Sequence, residues 1–166
     1  MKNVNFNEYG NLNGGIIKGL SLNDVETYFV KNFPKSKTRE RNFKGLEGFL
    51  DELKRNDILE KISKIWLDGS FLTNKLDPND IDMVLYFNPK LKDLPFINNF
   101  LKNETKQIHI IGKQFFCDAY FSIDDTLIPN EETDAKRHFN YQSRYWMGQF
   151  GFDREEHNKG IIEVNF

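Results

Sequence analysis

Two short apolar runs, the first closed by a Gly-Ser turn and the second holding a pair of acids, constrain this chain more than any other feature. Ile62 to Leu67 leads into Asp68-Gly69-Ser70, and Ile81 to Phe87 follows Asp80 and contains Asp82. Runs this short and this rich in Ile, Leu, Val and aromatic residues read as buried strands. The first ends in a Gly-Ser turn and the second carries Asp80 and Asp82 at its mouth. Residues i and i+2 of a strand face the same way, so these two carboxylates lie a few ångströms apart. They repel one another unless a divalent cation sits between them, and hard oxygen ligands suit Mg²⁺ or Mn²⁺.

A third run, Phe115-Phe116-Cys117-Asp118-Ala119-Tyr120-Phe121, places a single acid among apolar and aromatic residues. An unpaired carboxylate in such surroundings is costly to bury, and a neutralising metal gives it a reason to be there. The plainer alternatives are that Asp80 caps the turn Asp77-Pro78-Asn79-Asp80 and that Asp118 faces solvent from an edge strand.

The rest of the chain supplies a scaffold. Ser21 and Asp24 form a capping-box opening for a helix lined by Val25, Tyr28 and Phe29 and stopped at Pro34. Leu46, Phe49, Leu50 and Leu53 recur at helical spacing, so that face packs on the sheet. The intervening Lys35-Ser36-Lys37-Thr38-Arg39-Glu40-Arg41 reads as a solvated loop and helix start in preference to a phosphate or RNA contact. After the Asn88-Pro89 turn, Leu94, Ile97, Phe100 and Leu101 predict a short crossover helix. Gly112-Lys113 then reads either as a hairpin turn between Ile108–Ile111 and a strand Gln114–Ser122, or as a helix end before that strand. On the first reading His109 is an outward strand residue. A helix is expected from about Glu132 to Met147, with His138, Tyr141 and Tyr145 in one stripe and Phe139 and Trp146 in another, both read as core. A final strand follows Lys159-Gly160 and adds to the sheet. Arg144, Arg154 and Lys159 read as surface salt-bridge partners rather than as cations beside a phosphate.

The expected fold is α/β or α+β, a small mixed sheet with flanking N- and C-terminal helices. The 166 residues fit one domain: a helical extension over 1–60, a core over 61–122, and a helix and strand over 123–166. A net charge of −2 argues against extensive DNA binding, although a local basic patch is compatible with it. Cys117 is the only cysteine and reads as a small buried hydrophobe, which excludes an internal disulfide. The chain lacks a membrane-length apolar segment and a signal-peptide pattern, so a cytoplasmic location is expected.

Gly69-Ser70, nine intervening residues, and Asp80-Ile81-Asp82 in an apolar strand resemble the signature of the DNA polymerase beta-like nucleotidyltransferase superfamily, in its minimal form. The resemblance covers about Ile62 to Phe121. Outside it, Trp146-Met147-Gly148-Gln149-Phe150-Gly151 and Lys159-Gly160-Ile161-Ile162 resemble a bacterial family of such proteins. The superfamily pattern implies a third carboxylate on a later strand, for which Asp118 is the candidate. It implies that Asp80, Asp82 and Asp118 hold two Mg²⁺ (or Mn²⁺) ions, and that Gly69 and Ser70 bind the triphosphate of an NTP. The implied reaction is transfer of NMP to a protein or RNA hydroxyl, in a setting where the partner is a toxin or antitoxin or the system is one of defence. The alternatives are an antibiotic-type small-molecule acceptor, and an inactive nucleotide-binding module acting through a partner protein.

Overall fold

The structure, a computed structural model, describes residues 4–131 and 133–166, with Leu91 described by its backbone alone. The two apolar runs pair directly. β2 (Ile62–Asp68) and β3 (Ile81–Phe87) are antiparallel neighbours, with Trp66 opposite Val84 and Asp68 opposite Asp82. β4 (Cys117–Ile123) lies parallel to β3 on its other side, which sets Asp118 opposite Asp82. Beyond β2, β5 (Ile161–Asn165) runs antiparallel to it, and β1 (Ile16–Lys18) runs parallel to β5. The result is a mixed five-stranded sheet of order β1-β5-β2-β3-β4 with flanking helices, the α/β class expected. β5 joins the sheet as anticipated. β1 carries no sequence signal, because three residues among Gly and Asn have no measurable period.

The helices follow their sequence signals in part. α1 (Leu22–Glu26) opens on a capping box in which Ser21 and Asp24 bond each other's backbone amides, and it continues as a wider π-helical turn over Thr27–Lys31. α2 (Arg39–Arg55) buries Leu46, Phe49, Leu50 and Leu53 as its spacing requires. Parallel strands need a long crossover, and between β3 and β4 the chain makes one from α3 (Leu94–Asn99), a π-helical turn (Phe100–Glu104) and α4 (Thr105–Gln114). The hairpin reading therefore fails. Ile108–Ile111 is helical, Gly112 lies inside α4, and β4 begins at Cys117 rather than Gln114, with Phe115 and Phe116 forming the turn. Four residues of Ile-His-Ile-Ile are too few to separate a period of 2 from one of 3.6. α5 spans Thr133–Phe150, three residues further than expected, and Glu132 lies outside the described residues.

Strand alternation gives the sheet two unlike faces. One carries Ile65, Leu67, Ile81, Met83, Leu85, Cys117, Ala119, Ile162 and Val164 into the main core beneath α1, α2 and the crossover. The other carries Trp66, Val84, Tyr86 and Ile161 against Trp146 and Phe150 of α5. By the same parity Asp68, Asp82 and Asp118 belong to the α5 face. At the far end of that face the buried pair Lys64–Asp124, at 2.7 Å, and the Trp66 Nε1 bond to Glu163, at 2.9 Å, keep polar groups satisfied.

Arg39 corrects the solvated reading of its cluster. It is fully buried at the start of α2, and its guanidinium donates to the carbonyls of Phe29 and Phe71 at 2.9 and 2.7 Å and of Thr73 and Lys75 at 2.7 and 2.6 Å. The ring of Phe33 covers it at 3.8 Å. Burial pulls its pKa down to about 10, against the stabilising charge of Asp77. One cation thus ties the segment after Ser70 to the N-terminal helices. Among the described residues, no helix is long and apolar enough to cross a membrane.

Candidate active site

Strand register brings the acids to one end of the sheet. Asp82 on β3 stands between Asp68 on β2 and Asp118 on β4, and Asp80 precedes it by two residues on the same face. All four line one cleft of about 1000 Å³, together with Gly69, Ser70 and Lys159. The expected set of Asp80, Asp82, Asp118, Gly69 and Ser70 is therefore found together. Within β4, Asp118 and Tyr120 share the cleft side, and the Tyr120 hydroxyl donates to Asp118 Oδ2 at 3.1 Å. Strand alternation from the sequence would put Phe116 on that face with Asp118 and Tyr120, but it sits in the preceding turn at φ 56° and covers Arg41 at 4.0 Å.

Gly69 is required by the carboxylate as well as by its backbone. Its φ is +83°, and a Cβ there would lie 1.8 Å from Asp82 Oδ2. Even Gly69→Ala is expected to displace Asp82 and to cost about 1–3 kcal/mol of stability, which urea unfolding would measure. An unchanged midpoint would show that the turn adapts.

Burial and neighbouring negative charge raise the pKa of two of these acids. Burial, and then the charges of Asp80 and Asp118, push the Asp82 carboxyl up to about 6, with Lys159 acting the other way. Burial pushes Asp68 up to about 7 despite its ion pair with Lys159, whose Nζ lies 2.8 Å from Oδ2. A folded-state pKa above the unfolded value of 3.8 means that the native state holds the extra proton, so stability falls as pH rises through the interval between the two. In metal-free protein, the thermal-stability advantage of Asp82→Asn over wild type is expected to grow from about pH 4 to about pH 7, by on the order of 1–3 kcal/mol. An advantage that is flat across that range would remove the crowding argument.

Two further residues contact the acids of the cleft. Lys159, expected on the surface, has a side chain only 11% exposed and pairs with the buried Asp68. His109, expected to point outward from a strand, is on α4, with Nδ1 3.0 Å from the Ala119 carbonyl and Nε2 3.4 Å from Asp118 Oδ1. Asp68 was not singled out, since an acid before Gly-Ser looks like part of a turn; its place opposite Asp82 depends on pairing. Of the other two cations, Arg154 lines the cleft, whereas Arg144 is exposed on α5 outside its lining. Asp124 and Asp125 lie outside the cluster, in the segment that follows β4, and serve the packing. Asp124 pairs with Lys64, and Asp125 accepts from Asn140 and Ser143.

Of the two α5 stripes read as core, Phe139 and Trp146 do pack inward, whereas the His138, Tyr141 and Tyr145 stripe is exposed. Tyr141 and Tyr145 are 74% and 53% exposed, while Trp146 packs inward, and both Tyr145 and Trp146 line the cleft. A two-stripe helix pattern does not say which stripe meets the sheet. The loop after α5 is pinned at Asp153, whose carboxylate accepts from Asn11 Nδ2 at 2.7 Å and from the Glu155 and His157 amides, each at 2.9 Å. These bonds hold its pKa well below the usual range, the Asn11 bond most of all.

The donor set fits a hard divalent cation in chemistry: Asp80, Asp82 and Asp118 are hard oxygen ligands that repel one another, and Asp118 Oδ1 is buried without a hydrogen bond. Among the described residues no three His, Cys, Asp or Glu side chains already converge tightly enough to hold a metal.

No curated protein and no solved structure matches this chain. One family model does, over residues 4–165, and its description is a family of unknown function, DUF6932. Since that span takes in all five strands and the whole cleft, the chain belongs to the DUF6932 family.

Proposed function

We propose that this chain is a metal-dependent, cytoplasmic nucleotidyltransferase that moves NMP from an NTP to a protein or RNA hydroxyl, as the resemblance to the polymerase beta-like superfamily implies. The observation that carries the reading is the strand register that sets Asp118 beside Asp82, with Asp80, Gly69 and Ser70 on the same cleft. Asp80, Asp82 and Asp118 would hold Mg²⁺ or Mn²⁺, which when bound neutralises the acids and the triphosphate and acidifies the acceptor hydroxyl.

The chain's own residues do the rest. Gly69 lets the turn pass close against the Asp82 carboxylate, and the Ser70 hydroxyl donates to a phosphate oxygen. Lys159 supplies a cation at the cleft wall and offsets the negative charge of the donor and of Asp68. In the transfer, the acceptor oxygen bonds to the α-phosphorus while the bond from that phosphorus to the α–β bridging oxygen breaks. Pyrophosphate leaves with the electron pair, and a cluster carboxylate or solvent takes the hydroxyl proton. Retention of mutually repelling acids favours turnover over a purely structural site.

The test is incubation with each α-labelled NTP and Mg²⁺ or Mn²⁺ beside total RNA, the product of a neighbouring gene and a panel of aminoglycosides. Label on RNA or on protein supports the reading, and a protein partner encoded next door would place the system among toxin–antitoxin or defence modules. Label on an aminoglycoside would make the acceptor a small molecule. NTP binding without any transfer would make the chain a nucleotide-binding module.

A further inference from the structure

The exposed side of α5 carries a pattern that the catalytic reading does not use. Arg137, Tyr141, Arg144, Tyr145 and Gly148 are spaced 4, 3, 1 and 3 residues apart, so they share one helical face, and all are exposed. Among the described residues, Arg144 and Arg154 enter no ion pair, and Arg137 meets only Asp134, at 3.5 Å with both side chains open to water. The aromatic path does not stop at the surface. Tyr145 meets Trp146 edge to face at 5.2 Å, Trp146 meets Tyr120 at 4.7 Å, and the Tyr120 hydroxyl bonds Asp118.

We infer that this face is a track for the 3′ end of a single-stranded RNA, whose terminal hydroxyl it delivers to the carboxylate cluster. The inference rests on the nucleotidyl-transfer reading and names its acceptor. Bases stack on Tyr141 and Tyr145, and phosphates meet Arg137, Arg144 and, at the cleft, Arg154. From Arg137 to Gly148 the helix rises about 16 Å at 1.5 Å per residue, well beyond the cleft, so the ligand is a polymer rather than a small molecule. Arg137 and Arg144 lie one turn to either side of Tyr141, and Arg144 directly precedes Tyr145, where a protein interface would bring a contiguous apolar centre; this mixture of cations and aromatic rings matches a strand with charged phosphates and stackable bases. The tyrosine hydroxyls and the exposed His138 offer hydrogen-bond partners to 2′-hydroxyls, which DNA lacks.

The test is fluorescence anisotropy with a labelled ten-nucleotide oligouridylate and its deoxy counterpart, beside calorimetric titration of ATP with Mn²⁺. The wild-type protein is expected to bind the RNA, and Tyr141→Ala and Tyr145→Ala each to weaken it about tenfold without loss of fold by circular dichroism, while Tyr145→Phe retains most of the affinity. Three phosphate contacts predict a slope of about −2 in log affinity against log salt. Tyr141→Ala should leave ATP binding unchanged. ATP binding with no RNA binding, or equal affinity for the deoxy strand, would overturn the track and leave the nucleotidyl-transfer reading standing. Loss of RNA binding in Arg137→Ala and Arg144→Ala, with both tyrosine-to-alanine variants unaffected, would overturn base stacking. Absence of ATP–Mn²⁺ binding would instead remove the reading on which the track rests.

Discussion

Asp82→Ala is expected to lower transfer at least about a thousandfold, some 4 kcal/mol of barrier, in any assay that follows pyrophosphate release with Mg²⁺ present. Asp82 is the centre of the cluster. It stands opposite Asp68 and Asp118 across its two neighbouring strands and packs on Gly69. The same substitution removes a buried charge that burial and two acidic neighbours already disfavour, so the metal-free variant should melt no lower than wild type. Activity and stability moving in opposite directions is the signature of a site residue rather than of a packing residue. Retained activity would place the chemistry elsewhere in the cleft.

Arg39→Met should do the reverse, with its main effect on stability. The methionine fills similar length but leaves the carbonyls of Phe29, Phe71, Thr73 and Lys75 without the donors they now have. A loss of about 3–5 kcal/mol is expected, a large share of the total for a domain, and a fall in melting temperature of roughly 6–20 °C by calorimetry. Arg39→Lys should recover only part of it, because an ammonium has three donors and no planar fork. A change below about 2 °C would mean that the four carbonyls find water or other partners.

The sequence made the centre of the sheet legible because β2 and β3 are largely apolar and flanked by turn formers, and Asp80 and Asp82 stand out against that background. Asp118 was legible for the same reason, as one charge in an aromatic run. What escaped notice depends on pairing or on burial that composition does not encode. Asp68 becomes a site residue only when β2 pairs with β3, and Lys159 only when β5 docks beside β2. Arg39 has the composition of a solvated cluster, and nothing in Lys-Thr-Arg-Glu-Arg shows which cation turns inward. The helical nature of Ile108–Ile111 was hidden by a run too short to carry a period, and that hid the approach of His109 to Asp118.

The place of β5 also bears on how the molecule is built up. β2 and β3 are joined by a short connection and β4 follows through the crossover, so three adjacent strands come from contiguous chain. β5 then enters between β2 and β1, pairing Ile161 with Ile16 across nearly the whole sequence. Loop closure over such separations is slow, so local strands assemble first. Lys159 lies just ahead of β5 and arrives with it. The acids of β2, β3 and β4 therefore gather before their internal counter-charge is in place, and in a folding chain the first cation available to quiet their repulsion comes from the solvent.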